Sequence, residues 1–365
     1  PQLLEVEKLA LGQGTSSRIM KSLGLTEDER HAHQLLLKIG YWEPEFNLHP
    51  LRAGVALDEP DIEVPELGQE QRVDLTQLQA YAIDDESSSD PDDAISVEGN
   101  RLWVHIADVA ALAPEDSALD VAARARGANL YLPEKLAPML PDAVTQQLGL
   151  GLQPQNVALS VSFEVDGDGR LSDIEIQPSI VEVERLSYAD ADQQLQGQFA
   201  GVLELAGRFR ERRHQDGAIS LDLPEVSVRI KDGEIRITPL ERGGSRERVA
   251  EAMLAAGEAV SLYAIEHAIP IPFANQPPAE EELNPRGIAA NYACRRQFKP
   301  SRMATQAERH SGLGLDSYTR VTSPLRRYPD LLTHQQIRSY LQGRPLLSEE
   351  QITERIGASA MASAA

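Results

Sequence analysis

Apolar positions recur every three to four residues over 3–11, 16–23 and 27–39, the spacing of short amphipathic helices, and Tyr41 and Trp42 close the run. Ser16 and Thr26 are the expected N-caps, and Gly24 stands where a tight inter-helix turn needs it. Residues 1–57 therefore read as a small helical module, either a helix-turn-helix or winged-helix-like unit or simply three helices packed together. The stretch 58–70, DEPDIEVPELGQE, carries six acids, no base and two prolines, so 58–74 reads as an extended, poorly packed acidic linker. Beyond it the pattern becomes strand-like. Residues 94–97 and 102–109 flank the turn pair Gly99-Asn100, and 160–165 and 171–183 flank Asp166 to Gly169, giving two candidate hairpins. Helical periods return at 116–126, 190–216, 245–267, 286–292 and 328–341. This order predicts an α+β protein: a large mixed domain over 75–345, then a C-terminal helix or linker over 346–365, whose GASAMASAA ending reads as a linker or frayed end.

Composition narrows the class. At 365 residues and 41% hydrophobic content the chain can bury a large core, and at about 100–200 residues per domain it divides into two or three units. No apolar run approaches the roughly 18 residues of a membrane span, and no secretory leader opens the chain, so the expectation is a soluble, cytoplasmic protein. The single cysteine, Cys294, can form neither an internal disulfide nor a thiolate zinc site. A formal charge of −22 argues against binding an acidic polymer until its distribution is considered: residues 286–344 hold eleven Lys or Arg against three acids. Ten of the eleven are arginine, whose planar fork fits phosphate, although a solvated basic face has the same composition.

The densest chemistry lies at 83–95, IDDESSSDPDDAI, where Asp84, Asp90, Asp92 and Asp93 fall just before a strand. Carboxylates this close repel one another unless a cation neutralises them. Magnesium is held by few carboxylates together with waters and phosphate oxygens, and two ions about 3.5–4 Å apart suit in-line phosphodiester hydrolysis. The spacing lacks the glycine and terminal glutamate of a calcium loop. Composition leaves a metal site and a plain solvated turn both open.

The same residues resemble the RNB catalytic domain of ribonuclease II, ribonuclease R and the related exosome subunit, whose signature spaces four aspartates as Asp84, Asp90, Asp92 and Asp93 stand here. Further blocks resemble that family in its order: WVHIADVA at 103–110, RGANLYLPEKLAPMLP at 126–141, AISLDLPEV at 218–226, VAEAMLAAGEAV at 249–260 and YTRVTSPLRRYPDLLTH at 318–334. The resemblance implies a magnesium-dependent 3′-to-5′ exoribonuclease that degrades single-stranded RNA processively to 5′-mononucleotides. One or two magnesium ions, with manganese as a substitute, would sit on Asp84, Asp90, Asp92 and Asp93, and Asp92 would serve the cleavage step itself. Arg326 matches the arginine placed on the scissile phosphate, Arg327 would help hold the backbone, Tyr131 matches an aromatic that stacks on the terminal base, and Glu251 aligns with a glutamate near the 3′ nucleotide. His105 and His334 read as structural.

Bacterial members of that family begin with two cold-shock domains and end with another OB-fold RNA-binding domain. The expectation here is that the helical module replaces the former and that the latter is absent from this chain. The expected partner is single-stranded RNA, with no membrane, no small-molecule cofactor and a monomeric state. The competing expectations are a non-catalytic RNA-binding regulator and a nuclease acting on single-stranded DNA.

Overall fold

A computed structural model describes residues 3–364 except 87, 195, 196, 198, 232, 241, 242 and 281–285. The chain opens with helices α1 (Leu4–Ala10), α2 (Arg18–Ser22), α3 (Glu29–Lys38) and α4 (His49–Arg52). They close around Val6, Leu9, Met20, Ala32, Leu36 and Trp42, a core separate from the rest of the protein. The caps differ from expectation by one or two residues: Ser17 accepts the Met20 N–H and Asp28 that of His31, each three residues downstream, where a cap reaches its donor. Residues 3–57 contain no strand, so the module is helix-turn-helix without a wing.

The expectation of a poorly packed linker is corrected. Ile62, Val64 and Leu67 lay their side chains on the main core, and Glu70 accepts from Arg338 at 2.7 Å. Burial of apolar side chains at close spacing holds the segment down despite its charge.

The large domain is built on a seven-stranded sheet in the order β1 (Val73–Asp74), β8 (Leu171–Val181), β7 (Asn156–Val165), β4 (Arg101–Ala107), β3 (Asp93–Glu98), β2 (Ala80–Asp84), β9 (Val183–Ser187). Only the outer pairs β1–β8 and β2–β9 are parallel. The two-residue period of strands divides β4 cleanly: Leu102, Val104 and Ile106 enter one core, Trp103 and Ala107 the other. The first core is roofed by α7 (Tyr188–Gln193), α8 (Ala200–Gln215) and α9 (Gly244–Glu266). The helical period expected at 190–216 thus resolves into α7 and α8, and positions 195, 196 and 198 lie outside the described residues. Gly257 on α9 is required by close approach, since a Cβ there would stand 2.3 Å from the Tyr318 ring and 2.6 Å from the Thr319 carbonyl oxygen.

The opposite core is covered by α5 (Ala118–Arg126), α6 (Asp142–Leu148), α11 (Tyr328–Leu341) and α12 (Glu349–Ala364). Between these elements lie the short ladder β5 (Leu130–Tyr131) with β6 (Leu136–Ala137), the hairpin β10 (Val226–Lys231) with β11 (Glu234–Pro239), β12 (Phe273–Asn275) with β13 (Arg302–Ala304), and α10 (Ile288–Gln297). The expected frayed ending is instead helical to residue 364: Ile352, Ile356 and Ser359 are buried, and the alanines favour helix. Ala365 lies outside the described residues. No helix among the described residues is long and apolar enough to cross a membrane.

Candidate active site

β2 and β3 are adjacent and antiparallel, with Tyr81 opposite Ile95. The strand end carrying Asp84 therefore lies beside the strand start carrying Asp93, and the loop between them must turn out from the sheet edge and back. Ser87 of that loop lies outside the described residues. Asp90, Asp92 and Asp93 come in on the returning limb, where the Asp92 carbonyl accepts the Ala107 N–H and the Pro91 carbonyl that of Leu150.

Each aspartate has a different setting. Asp92 is 3% exposed; one carboxylate oxygen accepts the backbone N–H of Leu325 at 2.8 Å and the other the Nε–H of Arg326 at 2.9 Å. Burial pushes its pKa well above the usual carboxylate range, against the pull of Arg326 and the Leu325 N–H. Asp90 accepts from Asn129 Nδ2 at 3.0 Å and from the Tyr131 hydroxyl. Asp84 accepts the Asp85 N–H. The Asp93 side chain makes no hydrogen bond among the described residues, and its pKa is raised to about 7, first by burial and then by the charge of Asp84, with Arg326 and Arg327 opposing.

The turn Ser323 to Arg327 delivers the arginines. Its N–H groups at Arg326 and Arg327 close back on the Ser323 carbonyl, and Asp330 in the first turn of α11 accepts both the Ser323 N–H and Arg327 Nη2. On its outer side the Arg326 carbonyl accepts from Asn129 N, and Tyr328 N–H donates to Gly127 O. Gly127 ends α5 at φ 74, a left-handed position that favours glycine. A single clamp thus joins Asp92, the arginine turn and the segment bearing Asn129 and Tyr131. Arg326 is 38% exposed, and its two terminal nitrogens have no partner among the described residues.

These groups border a cavity of about 680 Å³ whose walls include Asp84, Asp90, Tyr131, Arg229 and Arg326. The hairpin β10–β11 forms one side, tied to the β5–β6 loop by Ile230 N–H to Pro133 O. Tyr131 is 55% exposed, its ring open to solvent while its hydroxyl is held on Asp90. Glu251 is placed elsewhere: it is buried between α8 and α9, and both oxygens accept from Arg213, at 2.6 and 3.0 Å. A substrate contact by Glu251 requires release of Arg213.

The sequence reading missed four contributors. Asn129 lies inside a quoted block but gave no signal of its own. Leu325 acts through its backbone. Arg246, from the start of α9, pairs with Asp85 and lies 4.0 Å over the Tyr188 ring; nothing in its local sequence marks it. Arg229 is one residue of an ordinary hairpin. The structural reading of the two histidines agrees with their surroundings. His105 lies between Ser96 and Ser160 oxygens, with its pKa pushed down to about 3 by burial, and His334 donates from Nε2 to the Val321 carbonyl.

Among the described residues no three His, Cys, Asp or Glu side chains converge as a ligand cage; Asp90 and Asp92 are engaged by neutral and cationic donors. Asp84 and Asp93 remain. Their mutual repulsion, and the open oxygens of Asp93, fit a hard divalent cation that keeps most of its shell for water and phosphate.

Residues 72–343 match the sequence profile of the RNB domain, and residues 1–48 that of a double HTH domain. An uncharacterised ribonuclease of Synechocystis is 37% identical over 92% of this chain and 55% of its own length. The chain spans about half the length of the curated relatives it matches. Two solved structures share the fold at low identity. The Dss1 exoribonuclease of Candida glabrata, solved as an active-site mutant, has a TM-score of 0.82 and 20% identity over 99% of this chain and 58% of its own. Yeast Ssd1, described as a pseudonuclease, has a TM-score of 0.68 and 18% identity over 84% of this chain and 46% of its own. With the aspartates, the arginine turn and the exposed tyrosine gathered at one cavity of this fold, the chain belongs to the RNB-domain family of ribonucleases and carries a double helix-turn-helix unit at its N-terminal side.

Proposed function

We propose that this chain is a magnesium-dependent 3′-to-5′ exoribonuclease that hydrolyses single-stranded RNA processively to 5′-mononucleotides, acting as a cytoplasmic monomer in RNA decay or processing. The observation that carries the reading is the Asp92–Arg326 pair, which anchors the guanidinium by Nε and leaves its terminal nitrogens toward the cavity. In that pose Arg326 receives two oxygens of the scissile phosphate and stabilises the charge that develops there. Asp92 fixes the guanidinium plane and, through Leu325, the turn behind it. Asp84 and Asp93, with Asp90 and Asp92 beside them, would hold the cation, for which manganese could substitute, and when bound it would supply Lewis-acid charge at the reacting phosphate. Tyr131 presents its open face to the terminal base, a contact worth about 1–3 kcal/mol and tolerant of sequence. Arg327, committed on one side to Asp330, supports the adjoining backbone.

The same fold serves an exoribonuclease and a pseudonuclease, so the retained aspartates and the free guanidinium nitrogens favour hydrolysis over a binding-only regulator. The test is incubation of 5′-labelled single-stranded RNA, beside a matched DNA, with wild type and magnesium, with Asp92→Asn, and with EDTA. Progressive shortening of the RNA by wild type alone supports the reading. Intact RNA in every lane with a mobility shift would replace it with the RNA-binding regulator, and shortening of DNA alone would replace it with a single-strand deoxyribonuclease.

A further inference from the structure

We propose that Arg355 on α12, beyond the stretch that matches the RNB profile, is a positioning residue for the arginine turn, acting through Asp120 and Tyr328. The inference rests on the hydrolase reading for its catalytic consequence, though not for its structural content.

Asp120 lies in the first turn of α5 and is fully buried. One of its oxygens accepts the Tyr328 hydroxyl at 3.0 Å and Gln335 Nε2 at 3.0 Å; the other accepts Arg355 Nη1 at 3.0 Å and the Asp116 N–H at 3.0 Å. A buried carboxylate with four donors is costly to form unless one donor carries charge. Arg355 is the cation that ion-pairs with it among the described residues, and its other terminal nitrogen holds Asp116 at 2.9 Å. Asp116 stands at φ 60, a backbone conformation that a non-glycine residue keeps only when its surroundings impose it. The network therefore stores some strain to stay assembled.

Its output is Tyr328. That residue follows Arg327 directly; its N–H is fixed on Gly127 and its hydroxyl on Asp120, so both ends are tied to α5. The same helix leads through Gly127 to Asn129, which grips the Arg326 carbonyl from one side and Asp90 from the other. Shifting Asp120 shifts Tyr328 and the turn that aims Arg326. Arg355 itself lies in a helix held to α5 and α11 by Ile352 and Ile356.

The test compares wild type with Arg355→Leu, Arg355→Lys and Tyr328→Phe, each checked for cooperative thermal unfolding. Amide hydrogen exchange is followed in peptides covering 322–328 and, as an internal control, β7–β8. Single-turnover cleavage and RNA affinity are measured in parallel. Arg355→Leu and Tyr328→Phe are expected to speed exchange in 322–328 and leave β7–β8 unchanged. Both should slow cleavage by roughly 10- to 100-fold, the scale of a small displacement in a reacting geometry, with RNA affinity altered less than about threefold. Arg355→Lys should recover much of both. Unchanged exchange at 322–328, or equal acceleration throughout the protein, would overturn the inference and leave Arg355 a general structural staple. If wild type fails to cleave RNA, the hydrolase reading fails alone, because exchange at 322–328 still decides whether Arg355 positions the turn.

Discussion

In the proposed reading Arg326 does two tasks with one side chain, and they can be separated. Nε is spent on Asp92, while the terminal nitrogens are free for phosphate. A lysine keeps the charge but cannot hold Asp92 and present a fork together. Arg326→Lys is therefore expected to lower the single-turnover rate by about 10²–10³-fold, the usual effect of losing one preorganised donor, with RNA binding largely preserved; fluorescence anisotropy and quench-flow kinetics measure the two. Asp93 carries the complementary prediction. Its pKa rises from 3.8 to about 7 on folding, so between these values the folded protein holds a proton that the unfolded chain has lost. The resulting stability is fully present below about pH 4 and is lost as pH rises through about 7. Asp93→Asn should remove that dependence and raise the melting temperature of the metal-free protein at pH 8 but not at pH 4, as scanning calorimetry in EDTA would show.

At the scale of elements, the site depends on pieces that look peripheral in the sequence. Arg338, on the far half of α11, pairs with Asp108 after β4 and with Glu70 of the linker, and Arg72 joins the same group. Arg338→Met leaves Arg72 on both carboxylates but strips Asp108 of one charged donor, so it should destabilise the fold by about 1–3 kcal/mol in urea titration. The main strands and helices were legible because they follow period 2 and period 3.6, and the motif blocks because they resemble those of a known family. The packing of the linker and the helical state of the GASAMASAA ending were not. An acidic, proline-bearing stretch and an alanine-rich tail both have the composition of loose chain, and only the packing of Ile62, Val64, Ile352 and Ile356 on residues distant in sequence shows otherwise. The same limit applies to the site: the residues came from the motif, but that Asp92 belongs to Arg326 and Asp90 to Asn129 and Tyr131 is decided by packing across some 40 to 230 positions.

Across the whole molecule, a net charge of −22 coexists with a cavity whose walls set Lys135, Arg229 and Arg326 beside Asp84, Asp85, Asp90 and Glu134. The double helix-turn-helix core is separate from the two cores of the RNB domain, and residues 1–52 hold seven acids against six Lys or Arg, so its charge alone gives it no phosphate-binding role. The most direct test of the central claim uses single-stranded RNA labelled on its 3′-terminal nucleotide. With magnesium, wild type should release the label at once as a 5′-mononucleotide, while Asp92→Asn and Arg326→Ala release none over the same time. Label appearing first in longer fragments, or released equally by the variants, would contradict a 3′ exonuclease centred on Asp92 and Arg326.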